Sequence, residues 1–581
     1  MMTSLIDVDS LLAIDVGSVN TRAFLFDVAN GTYRFLAAGV APTTVQGAFN
    51  NISDGVHMAL EHLQEITGRT LIGNDGHLIV PTHADGTGVD ALMCTLSAGP
   101  AVQTAVVGLL ADVSLESIQR LAASTYSHVV EAIGLTDRRG TEAKIDAIIR
   151  AQPDLILIAG GLEGGASRSI MKLLEVIGLA CFLIPVEKRP EVIYAGNQAL
   201  SEKVQTKLGK LTRVKLAPNI RPTVSVEDLS PALEVVNDAV LQIRMRQIDG
   251  VKQLSDMMGG NLTLSSTAFG RMVRFLSHIY TSNKGVLGID LGATSTTIAA
   301  GFAGKLCLNV CQPLGMGDGL SGITQHVAEV NNWLPVMVQE SYISEYFYNK
   351  QLHPGTVPAT VDDLAIEQAC ARLVLRSALR QTSQRFHQIS YSTSLGLTTP
   401  FEPILASGAI LTQAPTPGQA LLMLLDGLQP IGVTTLVLDQ NNLLSALGAA
   451  AGLNSLLPVQ ILESSAFLNL GTVVSPVSSA RYGTLIMRVR MTTEDGAENR
   501  FDIKQGSLTV LPIPLGRKAR LRLDYSHGTE IGFGNSGSSS LNVVGGVLGT
   551  IIDARGRPLG LPEDSSRRRE LIKKWLWTLG G

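Results

Sequence analysis

The 581-residue sequence predicts an α/β protein of two lobes, with an α/β insertion in the first lobe and an all-β domain at the C-terminal end. Three observations carry this prediction. A stretch near the start recurs without gaps 275 residues further on. Buried-strand runs lead into glycine loops and then into helical segments. After about Pro458 the texture changes to short alternating runs divided by Gly, Asp-Gly and Pro.

The recurrence pairs Leu12-Ala-Ile-Asp-Val-Gly-Ser-Val-Asn-Thr-Arg22 with Leu287-Gly-Ile-Asp-Leu-Gly-Ala-Thr-Ser-Thr-Thr297. Leu, Ile, Asp, Gly and Thr coincide at 12/287, 14/289, 15/290, 17/292 and 21/296. Each copy continues as a second strand and then a third. Asp-x-Gly alone is common at turns, but five matches in eleven ungapped positions, each followed by a strand, favour duplication of one hairpin unit.

In chain order, Leu11–Gly17 is an apolar run that reads as a buried strand. Thr21–Asp27 and Tyr33–Val40 follow as strands, with Gly31 as a turn residue between them. A helix is expected over Asp54–Ile66 and a strand over His77–Pro81. Leu155–Ile158 is a buried strand running into Ala159-Gly-Gly-Leu-Glu-Gly-Gly165, then a helix over Ser167–Ile177 and a strand over Ala180–Pro185. Ala359–Phe386 reads as two helices and Gly418–Leu428 as another. A strand Thr435–Leu438 ends in Asp439, before a small-residue helix at Leu444–Ala451. Arg567–Leu579 is a short basic terminal helix. The expected boundaries are 1–275 for lobe one, with the insertion at about 70–215, 276–457 for lobe two, and 458–581 for the β domain.

Composition narrows the function. Charged residues are 17% of the chain, against ~25% in ordinary soluble domains, and mean hydropathy is +0.23, which excludes a disordered chain. A net charge of -4 argues against a general nucleic-acid binder. The five cysteines are scattered without a CxxC pair, so neither a disulfide scaffold nor a zinc ribbon is supported, and a reducing cytoplasmic setting is expected. Met1–Ser10 has no basic n-region of a signal peptide. The uncharged stretches Ala91–Ala111, Pro403–Leu425 and Gln440–Leu462 are diluted by polar residues and prolines, so they read as buried elements and no membrane span is expected.

An Asp at the end of a buried strand, followed at once by a glycine-containing hairpin, suits a phosphate–metal site. Gly17 and Gly292 permit close backbone approach, and successive turn N–H groups can donate to phosphate oxygens. Ser18, Asn20 and Thr21, with Thr294, Ser295 and Thr296, add side-chain donors. Asp15 and Asp290 can hold the waters of a Mg²⁺ ion, which binds through few carboxylates plus phosphates. Two such hairpins facing across a cleft would grip a nucleotide triphosphate from both sides.

The paired hairpins resemble the phosphate loops of the actin, sugar kinase and Hsp70 ATPase superfamily, whose fold is the two-lobed actin-like ATPase (ribonuclease H-like) fold. In that comparison Asp15, Gly17, Ser18, Asn20, Thr21 and Arg22 fall on the first loop. Asp290, Gly292, Ala293, Thr294 and Ser295 fall on the second, and Ala406-Ser-Gly-Ala-Ile410, with Gly408, on the adenosine loop. The second loop has less glycine than the superfamily pattern, and the adenosine loop has one glycine instead of a pair. With Cys94-Thr-Leu-Ser-Ala-Gly99, Ile158–Gly165 and Tyr194-Ala-Gly-Asn197, the chain more specifically resembles the MutL/GlmL family of glutamate-mutase-associated proteins, over roughly residues 10–455.

The resemblance implies ATP and Mg²⁺ as ligands, with Asp15 and Asp290 as catalytic and metal-holding residues. It implies a chaperone, reactivating or assembly role toward a partner protein, a cobalamin-dependent mutase. Whether ATP is hydrolysed or only bound stays open here, as does assembly into a homo-oligomer. Two alternatives stand beside it. One is a small-molecule kinase of the same fold, for which Asp318 is the candidate base. The other is a non-catalytic scaffold.

Other motifs carry less. Gly532-Phe-Gly-Asn-Ser-Gly537 matches GxGxxG but lies among hairpins with no helix after it. No Walker A, GxSxG or HExxH pattern occurs, and His57 and His62 read as ordinary positions on a helix. Gly160-Gly161 and Gly164-Gly165 fit either an anion cradle or a tight strand-to-helix turn. Arg567–Arg569, Lys573 and Lys574 with Trp575 and Trp577 fit either a solvated helix face or a docking element.

Overall fold

Three consecutive strands open the chain because the sequence supplies a fully apolar run and then two tight turns. All seven residues of β1 (Ser10–Val16) are buried, as a central strand covered on both faces requires. β2 (Asn20–Ala29) and β3 (Thr32–Pro42) complete an antiparallel meander, turning at Asn30 and Gly31 with φ of 54° and 74°. Helix α1 (Ser53–Thr67) packs on β3, and β4 (Ala91–Leu96) pairs parallel to β1. The computed structural model describes residues 8–45, 51–165, 167–280, 284–389, 391–392, 396–397, 399–532 and 537–581.

The insertion follows β4 directly. It comprises β5 (Val102–Val107), α2 (Glu116–Ala123), β6 (Ser127–Ile133), α3 (Thr141–Ala151), β7 (Leu155–Ile158), α4 (Arg168–Leu183), β8 (Glu191–Tyr194), α5 (Ser201–Leu208) and β9 (Val214–Leu216). Its five strands are all parallel in the order β6-β5-β7-β8-β9. This separate sheet spans Val102–Leu216, while β4, which the expected range of about 70–215 also takes in, belongs to the lobe-one sheet. Helices α6 (Ser230–Gln247) and α7 (Val251–Met257) return the chain to β10 (Leu262–Leu264), which pairs with β4 and leads into α8 (Ser265–Ile279).

Lobe two repeats lobe one. β11 (Gly285–Leu291), β12 (Thr296–Phe302) and β13 (Lys305–Cys311) form the same meander. Strand Phe401–Ser407 lies parallel to β11, with strand Gly432–Leu438 beyond it. Lobe one runs β3-β2-β1-β4-β10, and lobe two presents the same order in its corresponding strands. The molecule therefore has the two-lobed actin-like, ribonuclease H-like fold. Helix α8 and helix Leu444–Ala450 lie between the lobes, in one buried cluster with Phe24 and Phe26 on one side and Val286 and Ala299 on the other.

The structure corrects several expectations. His77–Pro81 is irregular, with only an isolated bridge from Ile72 to Leu78, because its polar and glycine neighbours offer no continuous pairing edge. Ala180–Pro185 is no strand: α4 runs on to Leu183, and the strand begins at Glu191. Ala359–Phe386 is one 25-residue helix, Val361–Arg385, started by a capping box between Thr360 and Asp363. The β-rich end is not an independent domain starting at Pro458, which lies inside helix Leu456–Leu462. Strands Leu468–Ser475, Thr550–Asp553 and Leu508–Leu511 extend the lobe-two sheet to eight strands. The remaining hairpins form a four-stranded antiparallel sheet with its own core.

All five cysteines are buried and unpaired. Among the described residues no helix is long and apolar enough to cross a membrane. Residues 533–536 of the GxGxxG match lie outside the described residues, but strand Ser538–Val544 follows them directly. Trp575 is buried and Trp577 is 84% exposed.

Candidate functional site

The two hairpins meet at a cavity of about 420 Å³ between the lobes. They enter it by the same local geometry. Gly17 N–H donates to the Asn20 carbonyl at 3.0 Å, and Gly292 N–H to the Ser295 carbonyl at 3.1 Å. A Cβ at either glycine would stand 2.8 Å from that same carbonyl oxygen, so each turn closes only on glycine. Of the sequence-predicted residues, Asp15, Gly17, Ser18, Asn20, Arg22, Asp290, Gly292, Ala293, Thr294, Ser295 and Gly408 line the cavity.

Thr21 does not. Its side chain is fully buried and shares a hydrogen bond of 2.8 Å with the Thr43 hydroxyl. Strand alternation explains this, since Thr21 follows Asn20 and must face the opposite side. Its repeat partner Thr296 is buried likewise and donates to the Leu314 carbonyl at 2.8 Å.

The repeat breaks at one position that decides the electrostatics. Asp15 faces Arg22 across the first hairpin, with an ion-pair distance of 3.6 Å, and accepts hydrogen bonds from Thr95 at 2.6 Å and Ser265 at 3.1 Å. Asp290 faces Thr297 and accepts from the Ser407 hydroxyl at 3.2 Å. Burial, and then the negative charge of Asp15, push the Asp290 carboxyl up to about 6.

Asp439 lies behind it. Its carboxylate accepts from the N–H groups of Leu443 and Leu444, both at 2.8 Å, and so caps helix Leu444–Ala450. Burial, and to a lesser degree the Asp290 charge, push it up to about 7. Three carboxyl groups thus share one region with a single nearby cation, Arg22, acting on both raised groups. Two carboxylates at the cavity wall with an excess of negative charge fit a divalent cation carried in by a phosphate ligand. Among the described residues no group of three or more His, Cys, Asp or Glu is placed to hold a metal by itself.

Gly408 ends strand Phe401–Ser407 with φ of 114°, and a Cβ there would lie 2.3 Å from the Leu291 carbonyl oxygen. The glycine lets this loop touch the second hairpin. Its N–H donates to the Asn442 side chain at 2.8 Å. Ile410, Gln413 and Ala414 continue the wall as a partly apolar shelf.

Sequence reasoning missed the opposite wall. Lys350 and Glu367 form a buried ion pair of 2.5 Å that lines the cavity, and Tyr346 donates to Glu367 at 2.8 Å. The Lys350 ammonium also donates to the Thr356 carbonyl, fixing the 354–358 loop at the cavity mouth. Asp318, the candidate kinase base, is not on the wall. It accepts from the Thr294 hydroxyl at 2.9 Å and from Gly319 N–H at 3.1 Å, so it tethers the second hairpin.

The family described as "MutL protein" matches residues 11–466. The chain is 23% identical over 298 residues to Protein MutL of Clostridium tetanomorphum, covering 50% of this chain and 57% of that relative's length. Solved structures similar to this chain include an acetone carboxylase at 13% identity, with a TM-score of 0.31 and coverage of 86% and 81% of the two chains. They also include a glycerol dehydratase reactivase at 11% identity, with a TM-score of 0.27 and coverage of 72% and 95%. With its family match spanning both lobes, this chain belongs to the MutL protein family.

Proposed function

We propose that the protein binds ATP with Mg²⁺ between its lobes and uses the nucleotide cycle to reactivate or assemble a partner enzyme, a cobalamin-dependent mutase. The observation that carries the first half is the convergence of two equivalent Asp-x-Gly hairpins on one cavity. In this reading the turns at Ser18–Asn20 and Ala293–Ser295 donate N–H and hydroxyl groups to the phosphates from opposite sides. Gly408, Ile410 and Ala414 offer the surface on which a base can lie. Asp15 and Asp290 would hold the waters of a Mg²⁺ ion, which would supply charge neutralisation of the phosphates.

Asp290 can also take a proton from an attacking water, because a carboxyl near 6 is a better base at neutral pH than an ordinary one. Arg22, beside Asp15, is placed to compensate charge as the phosphate is released. The mutase as partner follows from the family resemblance and membership, not from the cleft.

Steady-state phosphate release by purified protein, with and without a purified cobalamin-dependent mutase, tests this. Turnover that needs no small-molecule acceptor and changes when the mutase is added is expected. Turnover only with a small hydroxylated acceptor would place the protein among kinases instead.

A further inference from the structure

The insertion has two unlike faces. On one, α2 leans on lobe two. The Arg120 guanidinium donates to the Arg385 carbonyl at 2.5 Å, and the Ser124 hydroxyl donates to the Leu308 carbonyl at 2.9 Å. On the other, α3, α4 and α5 cover a separate core, and each carries exposed residues on its outer side.

The C-terminal half of α4 presents large apolar side chains there at helical spacing. Leu179, Phe182 and Leu183 are 49%, 63% and 59% exposed, and Val186, just past the helix, is 73% exposed. Spacing of three, four and seven places them on one side. This face misled the strand expectation for Ala180–Pro185, because an exposed helix face this apolar is unusual.

The charge around it is predominantly basic. Residues 168–216 carry nine Lys or Arg against four Glu, in a chain whose net charge is -4. Arg168 and Lys172 continue the same face of α4, and Lys203, Lys207 and Lys210 lie on or beside the neighbouring α5. Glu175, on that face, is paired with Lys207 at 3.1 Å, and Glu187 stands beside Val186 at the end of the strip.

From this apolar strip within a basic rim we infer that α4 is the docking surface for the partner enzyme, received through an acidic surface with apolar residues at its centre. A symmetric contact with a second copy would set this basic rim against itself, which disfavours self-association through this face. The position suits coupling to the cleft, since the same insertion braces lobe two through Arg120 and Ser124. The inference rests on the proposed reactivating or assembly function and names where its partner binds.

The test uses full-length protein and immobilised adenosylcobalamin-dependent glutamate mutase as the probe. Binding is measured for wild type, Phe182→Asp/Leu183→Asp and Lys172→Glu/Lys203→Glu, with thermal melts to confirm folding. Both double variants alter exposed side chains outside the cavity lining, so basal phosphate release should be unchanged. Each is expected to weaken binding roughly tenfold or more, and wild-type binding should weaken as salt rises. Variants that melt normally and bind like wild type would overturn the docking surface alone. Absence of wild-type binding would overturn the partner reading and this inference with it. Light scattering that shows a wild-type oligomer dissociated by Phe182→Asp/Leu183→Asp would assign the face to a second copy. Equal loss of binding to anionic phospholipid vesicles, with mutase binding intact, would assign it to a membrane surface.

Discussion

At position 290 the hairpin repeat keeps its aspartate and loses its partner cation. Thr297 stands where Arg22 stands in the first copy, so the Asp290 charge is answered only by a serine hydroxyl and by the Arg22 guanidinium, which is paired with Asp15. A carboxyl whose folded value lies near 6, above its ordinary 3.8, favours folding fully only below about pH 4, and that contribution is lost as pH rises through about 6. Asp290→Asn removes the charge that causes the loss. At pH 8 and without ligand the variant should be more stable than wild type by roughly 1–3 kcal/mol, the gap closing toward pH 4. Its Mg²⁺-dependent protection by ATP should weaken. Chemical denaturation at both pH values checks the first expectation, and melting with ligand checks the second. Gly408→Ala acts differently, by forcing a Cβ against the Leu291 carbonyl at a φ of 114°. It should cost roughly 1–3 kcal/mol and weaken nucleotide affinity. Unchanged stability and affinity in calorimetry would show that the loop shifts freely.

Among the elements, the short strand Thr550–Asp553 matters beyond its four residues because it anchors buried charge. Asp553 pairs with Arg555 and Arg557, each at 2.8 Å, and Arg555 bridges to Asp426, which also pairs with Arg372 at 2.8 Å. Against the cost of burial, Arg555 and Arg557 hold the Asp553 carboxyl well below the usual range. Trp575 of the terminal helix Ser565–Thr578 lies under Arg555, 4.7 Å from ring centroid to guanidinium carbon. Asp553→Ala leaves two buried guanidinium groups short of a counter-charge and should cost about 3–5 kcal/mol. Urea denaturation measures it, and a loss below 1 kcal/mol would mean that water enters the cluster. The terminal helix, weighed from sequence as a docking element, thus has a structural side in Trp575 and an exposed one in Trp577.

Over the whole molecule, lobe two is complete only with the strands beyond residue 467. Strand Leu468–Ser475 pairs along the full length of Gly432–Leu438. A 1–457 fragment would expose that edge and the apolar cluster that Leu470, Val473 and Ile551 complete. It should fail to melt cooperatively. A sharply melting fragment that keeps ATP affinity would show the eight-stranded sheet to be dispensable.

The hairpin pair was legible in sequence because its signal is local: strand, Asp-x-Gly turn and strand lie within eleven residues, twice. Eleven of the twelve expected site residues, all on those strand–turn units or at Gly408, line the cavity, while strand alternation turns Thr21 away from it. Lys350 and Glu367 were not legible, since helix packing brings together residues whose spacing carries no signature. The shared sheet was hidden for a related reason. Strand Leu508–Leu511 reads as a hairpin piece, and only long-range pairing assigns it and Thr550–Asp553 to lobe two.

The central claim is that one ATP is held between the two hairpins, and titration calorimetry of Mg²⁺-ATP tests it most directly. Wild-type protein should bind one equivalent, and Asp15→Asn and Asp290→Asn should each weaken binding about tenfold or more, a loss of about 1.4 kcal/mol or greater. No heat at millimolar Mg²⁺-ATP, or equal affinity in wild type and both variants, would contradict it.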